Sequence, residues 1–267
     1  MKKHLCSPRF YLLGAIVSAL VACVVQTLAY QSAYGKILEN YFSATSPLPK
    51  IATIFSILSC VFGLVSVCLW KESQISEQEF QRDPSAIPAA VGFLAGAILL
   101  LLTNGTPLTY VIVGCFILAA TYNVLLALQL IRDSAIIALI GFSNVIGCIL
   151  LIGRFYFDAS LEMNAPVKIT ALVALLFAAL YYTYEIKALL GNPLPRFFTL
   201  LTVCVTGIGA LASLPLTLAY IFFHRFDQIY THSFDHPEYL ACSLILIGVC
   251  TTAVWRIFRL ICSEEIQ

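Results

Sequence analysis

The sequence predicts an all-α integral membrane protein with eight transmembrane helices, and three observations carry that reading. Sixty per cent of the 267 residues are apolar and 11% are charged, with a mean hydropathy of +0.92, whereas a soluble domain carries about 25% charged residues. The apolar residues fall in runs of roughly 17 to 25, the length that crosses about 30 Å of hydrocarbon at 1.5 Å per residue. The interruptions are short, each under about 25 residues, so the reading leaves no soluble domain and no room for a nucleotide-binding loop. Any energy would come from an ion gradient or a partner ATPase.

The first run, residues 10–30, follows Lys2, Lys3 and Arg9. Those cations suit a signal-peptide n-region, with Thr27-Leu28-Ala29 as a cleavage site, but the run is longer than the roughly 7 to 15 residues of an h-region. It reads as a retained helix. Residues 51–70 form the second span and 87–103 the third, which contains GFLAG with Gly92 and Gly96 at the G-x-x-x-G spacing. That face permits close helix contact, within the chain or in a homodimer. The tight turn Asn104-Gly105-Thr106-Pro107 leads to the fourth span, 108–131; it matches a glycosylation sequon but reads as a plain turn. The fifth, sixth, seventh and eighth spans are 134–153, 167–187, 197–223 and 239–261. Pro215, near Gly207 and Gly209 in the long seventh span, predicts a kink or an unwound turn. Broken helices of this kind line transporter sites.

Orientation follows from the cations beside the span ends. With the N-terminus in the cytoplasm, Lys2, Lys3, Arg9, Lys71, Arg82, Arg132, Lys187, Arg196, Arg256 and Arg259 lie inside, against Lys36, Lys50, Arg154, Lys168 and Arg225 outside. Ten against five favours both termini in the cytoplasm. The stretch RFYFDASLEMNAPVK (154–168) is then extracytoplasmic, with Phe155, Tyr156 and Phe157 as interface anchors.

YFSATSPLPKIAT (41–53) and YFDASLEMNAPVKIT (156–170) share Tyr-Phe, Ala, Pro, Lys, Ile and Thr in order. This suggests a 4+4 parallel repeat, with residues 1–133 and 134–267 as two four-helix halves of one membrane domain, although such residues are also common at any membrane interface. Aligning Tyr156 with Tyr41 sets Arg154 opposite Glu39 and Asp158 opposite Ser43, making Glu39, Arg154 and Asp158 candidates for an outer mouth.

Within the membrane the polar candidates are Asn123 and Asn144, at depths of about 14 and 17 Å from the Arg132-Asp133 turn, together with Pro215. Amides facing each other there serve as interhelical glue or line a pocket. Glu185, in YYTYEIK, counts out to the inner interface, where it reads with Lys187 and Tyr181, Tyr182 and Tyr184 as an anchor. No acid is expected nearer the midplane, which argues against a proton-coupled pump.

The segment HRFDQIYTHSFDHPEY (224–239) holds three of the four histidines. His232 and His236, four residues apart, with Asp235 offer a metal triad, for Zn²⁺ or another divalent ion, with Asp227 or His224 as alternatives; the competing reading is a solvated loop. No other cofactor is indicated. The ten cysteines show no C-x-x-C and lie mostly inside apolar runs, where thiols act as small packing residues. A net charge of +1 without a basic block excludes nucleic acid as a partner.

YFDASLEMNAPVK (156–168), with the downstream YEIKALLGNPLPRFF (184–198), resembles a group of uncharacterised small polytopic bacterial membrane proteins. The resemblance implies a bacterial plasma membrane and an eight-span layout; it implies no activity and no site. The expected function is a small-solute transporter or the membrane subunit of one, more readily a non-enzyme than an enzyme. The alternatives are an extracytoplasmic metal-dependent membrane enzyme centred on His232, Asp235 and His236, and a non-catalytic scaffold or sensor whose partners are lipid and protein.

Overall fold

The computed structural model describes residues 8–33, 46–69, 83–102, 105–128, 134–158, 166–191, 194–223 and 237–263. These residues are almost wholly helical, without a strand among them, and they supply eight helices long and apolar enough to cross a membrane. We label them α1 (Pro8–Ala33), α2 (Leu48–Leu69), α3 (Ile87–Leu101), α4 (Pro107–Leu128), α5 (Ser134–Phe157) and α6 (Pro166–Leu189). The seventh span is α7 (Pro195–Cys204) and α8 (Ala210–Phe223), joined by a π-helical turn at Val205–Gly209; α9 (Pro237–Ser263) is the last.

Proline marks the beginnings. It occupies one of the first two positions of α1, α2, α3, α4, α6, α7 and α9, where its fixed φ suits the first turn and its missing N–H would have had no intrahelical partner. The apolar runs alone start most of these helices a few residues late. The largest difference is at α5, which continues through Arg154 to Phe157, so the first part of 154–168 is helix rather than connector. Phe155 is correspondingly fully buried, stacked on Tyr239 with centroids 4.4 Å apart and planes 4° from parallel. It is a core residue and not the expected interface anchor; Tyr156 and Phe157 are exposed.

The helices fall into a bundle around the seventh span. α1 packs on α2, α4 on α5 and α5 on α6, while α3 lies between α4 and α9. The seventh span touches α1, α2, α6 and α9, and 78% of its apolar window is buried against 33% for α2, which makes it the interior element. On α2, Ile54, Ile57, Val61 and Leu64 recur at helical spacing and are exposed, the face of a lipid-contacting helix. The boundary between 1–133 and 134–267 is crossed by α3 on α9, α4 on α5 and α1 on α8. Residues 41–45 and 159–165, which belong to the two similar motifs, lie outside the described residues.

The GFLAG face is spent inside the chain. A Cβ added at Gly92 would meet the Leu244 carbonyl oxygen at 2.8 Å and Gly248 Cα at 3.0 Å, and one at Gly96 would meet the Ile245 side chain at 2.7 Å. Both glycines are buried, so the face considered for a homodimer is occupied by α9. At this crossing Ala89 N–H donates to Thr252 Oγ1 at 3.2 Å, satisfying one of the first-turn amides that a helix leaves without an internal partner.

The break in the seventh span falls at Val205–Gly209, among the two glycines, while Pro215 sits buried within α8. A π turn carries one extra residue and misaligns the local ladder. Neighbours meet the carbonyls: Cys250 Sγ donates to Val205 O at 3.3 Å, Ser56 Oγ to Gly207 O at 3.4 Å and Ser213 Oγ to Gly209 O at 2.7 Å. Gly207 allows the approach of α2, since a Cβ there would meet Ser59 Oγ at 2.9 Å. Cys250 therefore supplies a hydrogen bond to the break in addition to the packing expected of it.

Candidate functional site: two charged clusters joined by the last helix

α9 begins and ends in ion pairs. Glu238 in its first turn and Arg256 near its last are about 27 Å apart at 1.5 Å per residue, close to the thickness of the hydrocarbon layer. We call the end of the bundle where α1 starts and α9 stops the near end, and the other the far end.

At the near end Arg256 reaches into the bundle. Its Nε donates to Asp83 Oδ2, its Nη1 to Tyr181 Oη, and its Nη2 is ion-paired with Glu185 Oε1. The guanidinium also lies over the rings of Tyr181 and Phe198, 5.3 and 5.6 Å from their centroids, a favourable position for a cation against a π face. Tyr122 on α4 donates to Glu185 Oε2 at 3.0 Å. Arg259 Nη1 donates to Asp83 Oδ1 at 2.9 Å, and the Ser85 N–H and hydroxyl also serve Asp83 Oδ1. Two carboxylates thus meet two guanidiniums in a neutral cluster that ties α4, α6 and α9 to the turn before α3. Glu185 is 1% exposed and Arg256 8%, so desolvation is severe and the pairing must be complete for the cluster to be tolerated.

Each contributor has a local reason for its place. Asp83 is the N-cap of the short Pro84–Ala86 turn, and its side chain accepts from Ser85 N–H, a role that suits aspartate. Tyr181, Glu185 and the adjacent Tyr182 lie on one face of α6, as residues four apart do. Tyr182 Oη is buried with no hydrogen-bond partner among the described residues; its ring packs on Tyr181, Phe93 and Tyr122 at 5.2, 5.8 and 6.4 Å.

Burial by itself would raise the Asp83 carboxyl, but the charges of Arg256 and Arg259 and the bonds from Ser85 and Arg256 hold it below the usual carboxylate value. A group lowered on folding stabilises the folded state above its unfolded value, about pH 4, and loses that contribution as pH falls through the folded value. The stability difference between the wild type and Asp83→Asn should therefore be constant above about pH 5 and shrink below about pH 4. Thermal unfolding of the two proteins across that range checks it.

At the far end Arg154, in the last turn of α5, is ion-paired with Glu238 through Nη2, and its Nη1 donates to Thr109 Oγ1 at 2.8 Å and to Thr106 Oγ1 at 3.1 Å. Tyr239 donates to Asp158 Oδ2 at 3.1 Å, and Lys168 Nζ to the Asp158 carbonyl at 2.6 Å. This second cluster ties α4, α5 and α6 to the start of α9. Arg154 and Asp158 come together here as outer-mouth candidates, but the carboxylate on Arg154 is Glu238. Glu39 lies outside the described residues.

Between the clusters Asn123 Nδ2 donates to Asn144 Oδ1 at 3.1 Å and to the Ala119 carbonyl at 2.8 Å, and Asn144 Nδ2 donates to the Gly141 carbonyl at 3.0 Å. Both amides are buried. Asn123→Leu and Asn144→Leu should each cost about 0.6 to 2 kcal/mol, and the double variant less than their sum, because each single change already removes the shared bond. A double-mutant cycle in thermal unfolding reads this directly.

His232, Asp235 and His236, with His224 and Asp227, lie outside the described residues. Among the described residues no group of three His, Cys, Asp or Glu side chains is placed to hold a metal ion.

The sequence singles out neither Asp83 nor Tyr122, offers Arg256 only as one of the inner cations, and offers Glu185 as an anchor at the inner interface. A cluster assembled from partners 173 residues apart, as Arg256 and Asp83 are, leaves no local spacing to detect. The available signal was an acid preceded by tyrosines three and four positions back, so that both Tyr181 and Tyr182 share a helix face with Glu185.

The fold defines a class: an all-helical protein of the membrane type, whose described residues include eight helices long and apolar enough to span a membrane. Comparison with protein-family models, with curated proteins and with solved structures finds no match to this chain.

Proposed function

We propose that this chain is a small-solute transporter, or the membrane subunit of one, in a plasma membrane with both termini in the cytoplasm. The observation that carries the reading is the pair of ion-paired clusters at opposite ends of α9, one tying it to α5 and the other to α6. A carrier must close one end of its path while the other opens, and reversible ion pairs at the two ends of one helix provide that exchange. The broken seventh span beside α9 supports the same reading, since irregular backbone at membrane depth is tolerated where it is enclosed by protein and is common at transporter sites. The cation bias beside the spans supports a cytoplasmic near end.

The test is thermal unfolding of the purified full-length protein against a panel of amino acids, sugars, nucleosides and organic acids. A solute that binds the folded state should raise stability by about 2.7 kcal/mol at a hundredfold excess over its Kd. The same solute should equilibrate faster into proteoliposomes than into protein-free vesicles. A solute that stabilises without crossing would replace the transporter by a sensor; a panel without any stabilising solute, together with a near end and far end that never admit water-soluble thiol reagents, would overturn the proposal.

A further inference from the structure

The near-end cluster contains two carboxyls of unequal standing. Asp83 is met by two guanidiniums and by both donors of Ser85. Glu185 has one guanidinium, shared with Asp83, and one tyrosine hydroxyl. Charge-assisted bonds are the strong ones, so removing the charge of Asp83 forfeits more than removing that of Glu185. The two acids also hold different helices: Asp83 joins the start of α3 to α9, and Glu185 joins α6, with α4 through Tyr122, to α9.

We propose that Glu185 is a proton-binding site, and that its occupation releases α6 and α4 from Arg256 while Asp83 keeps α3 and α9 together. The proton enters from water at the near end, where Arg259 is 40% exposed, and adds to a Glu185 oxygen. Arg256 then keeps its bonds to Asp83 and Tyr181, and with Arg259 it leaves the cluster with one net positive charge. That charge and the lost pairing favour water entry between α6 and α9. The α3–α9 side does not open, because the glycine crossing and the Asp83 bonds both remain.

The groups facing Glu185 are consistent with this. From α9 it meets Arg256; from the turn before α3 it feels Asp83, which Arg259 also engages. From α4 it meets Tyr122. On α6 itself Tyr181 and Tyr182 lie within its field, and Cys148 of α5 stands next to Tyr182. The orphaned Tyr182 hydroxyl is a ready partner for a water admitted on opening. An intramembrane acid of this kind marks ion or proton pathways in membrane proteins generally.

The inference deepens the transport reading by naming the coupling ion as a proton, and its test needs no solute. Infrared spectra of the purified full-length protein, taken as pH is lowered from about 8 to about 5, should show a protonated-carboxyl band where exposed acids are still mostly ionised. Glu185→Gln should lose that band and Asp83→Asn should retain it. Hydrogen exchange in the segments around residues 180–189 and 253–262, corrected for intrinsic rates, should rise over the same range in the wild type and be high throughout in Glu185→Gln.

Tyr122→Phe is the second variant, informative even if Glu185→Gln does not fold. The hydroxyl bond favours the ionised carboxylate, so its loss should move the midpoint of the band up by about one pH unit. A band that persists in Glu185→Gln, a wild type without one, or a midpoint unmoved in Tyr122→Phe would overturn the proposal. Each of these results would leave the transporter reading to its own solute test.

Discussion

Replacing Arg256 by leucine should destabilise the protein by about 3 to 5 kcal/mol, the cost of stranding a buried partner of an ion pair. The substitution leaves Glu185 with Tyr122 alone and Asp83 with Arg259 and Ser85. It also removes the cation that lies against the Tyr181 and Phe198 rings, whose centroids are 5.1 Å apart. Adding Glu185→Gln to Arg256→Leu should recover part of the loss, because the amide needs no counter-charge, and the non-additivity measures the coupling. Arg256→Lys should fall between, since an ammonium cannot bond Asp83, Tyr181 and Glu185 at once with the reach of a planar fork. Thermal unfolding of the purified proteins reads all three. A loss under about 1 kcal/mol for Arg256→Leu is the value of a surface pair and would mean that the cluster is open to water.

Gly248→Ala should be the most damaging single-carbon change in the bundle, costing about 1 to 3 kcal/mol through overpacking. Its Cβ would lie 2.5 Å from the Pro88 carbonyl oxygen and 3.0 Å from Gly92 Cα. Both are backbone atoms, so relief requires α3 and α9 to separate. Gly96→Ala meets mainly the end of the Ile245 side chain at 2.7–2.8 Å, which can rotate, and should cost less. Gly114 on α4 has nothing within 4 Å of the added carbon; there alanine should be neutral or stabilising by up to about 1 kcal/mol from helix propensity alone. The order Gly248, Gly96, Gly114 in melting temperature is the check, and a reversal would remove the close crossing of α3 and α9.

Eight spans were legible because each one carries its own signal: a run of apolar residues has a length, and length is read without knowing the neighbours. The prolines at the first turns were equally visible, although hydropathy alone set several starts a few residues late. The polar step from Asn123 to Asn144 could be anticipated because the Arg132-Asp133 turn sets both at similar depth, so that hairpin geometry brings them together. The charged clusters could not. Asp83 sits among the polar residues of a connector, and Arg256 and Arg259 look like ordinary basic flanks until α3 and α9 are known to pack side by side. Glu185 was misplaced for a related reason: distance along α6 fixes its height in the membrane but says nothing of how deeply neighbouring helices cover it. Internal similarity set Arg154 opposite Glu39, which lies outside the described residues; among those described, the acid on Arg154 is Glu238, 84 positions away and beyond the reach of any local spacing.

The pairing of α3 with α9 also has a consequence for biogenesis. Ala89 and Thr252, which meet at the crossing, are 163 residues apart in the chain. The third helix leaves the ribosome long before the last, so the Gly92 and Gly96 surface and the Asp83 carboxylate spend most of synthesis without their final neighbour. During that interval lipid or an insertion chaperone must cover the glycine surface, and Asp83 can remain at the aqueous boundary beside the helix start. Closure of the bundle is thus set by the final helix, and a chain shortened before residue 237 should insert its spans yet present a surface that quality-control proteases recognise.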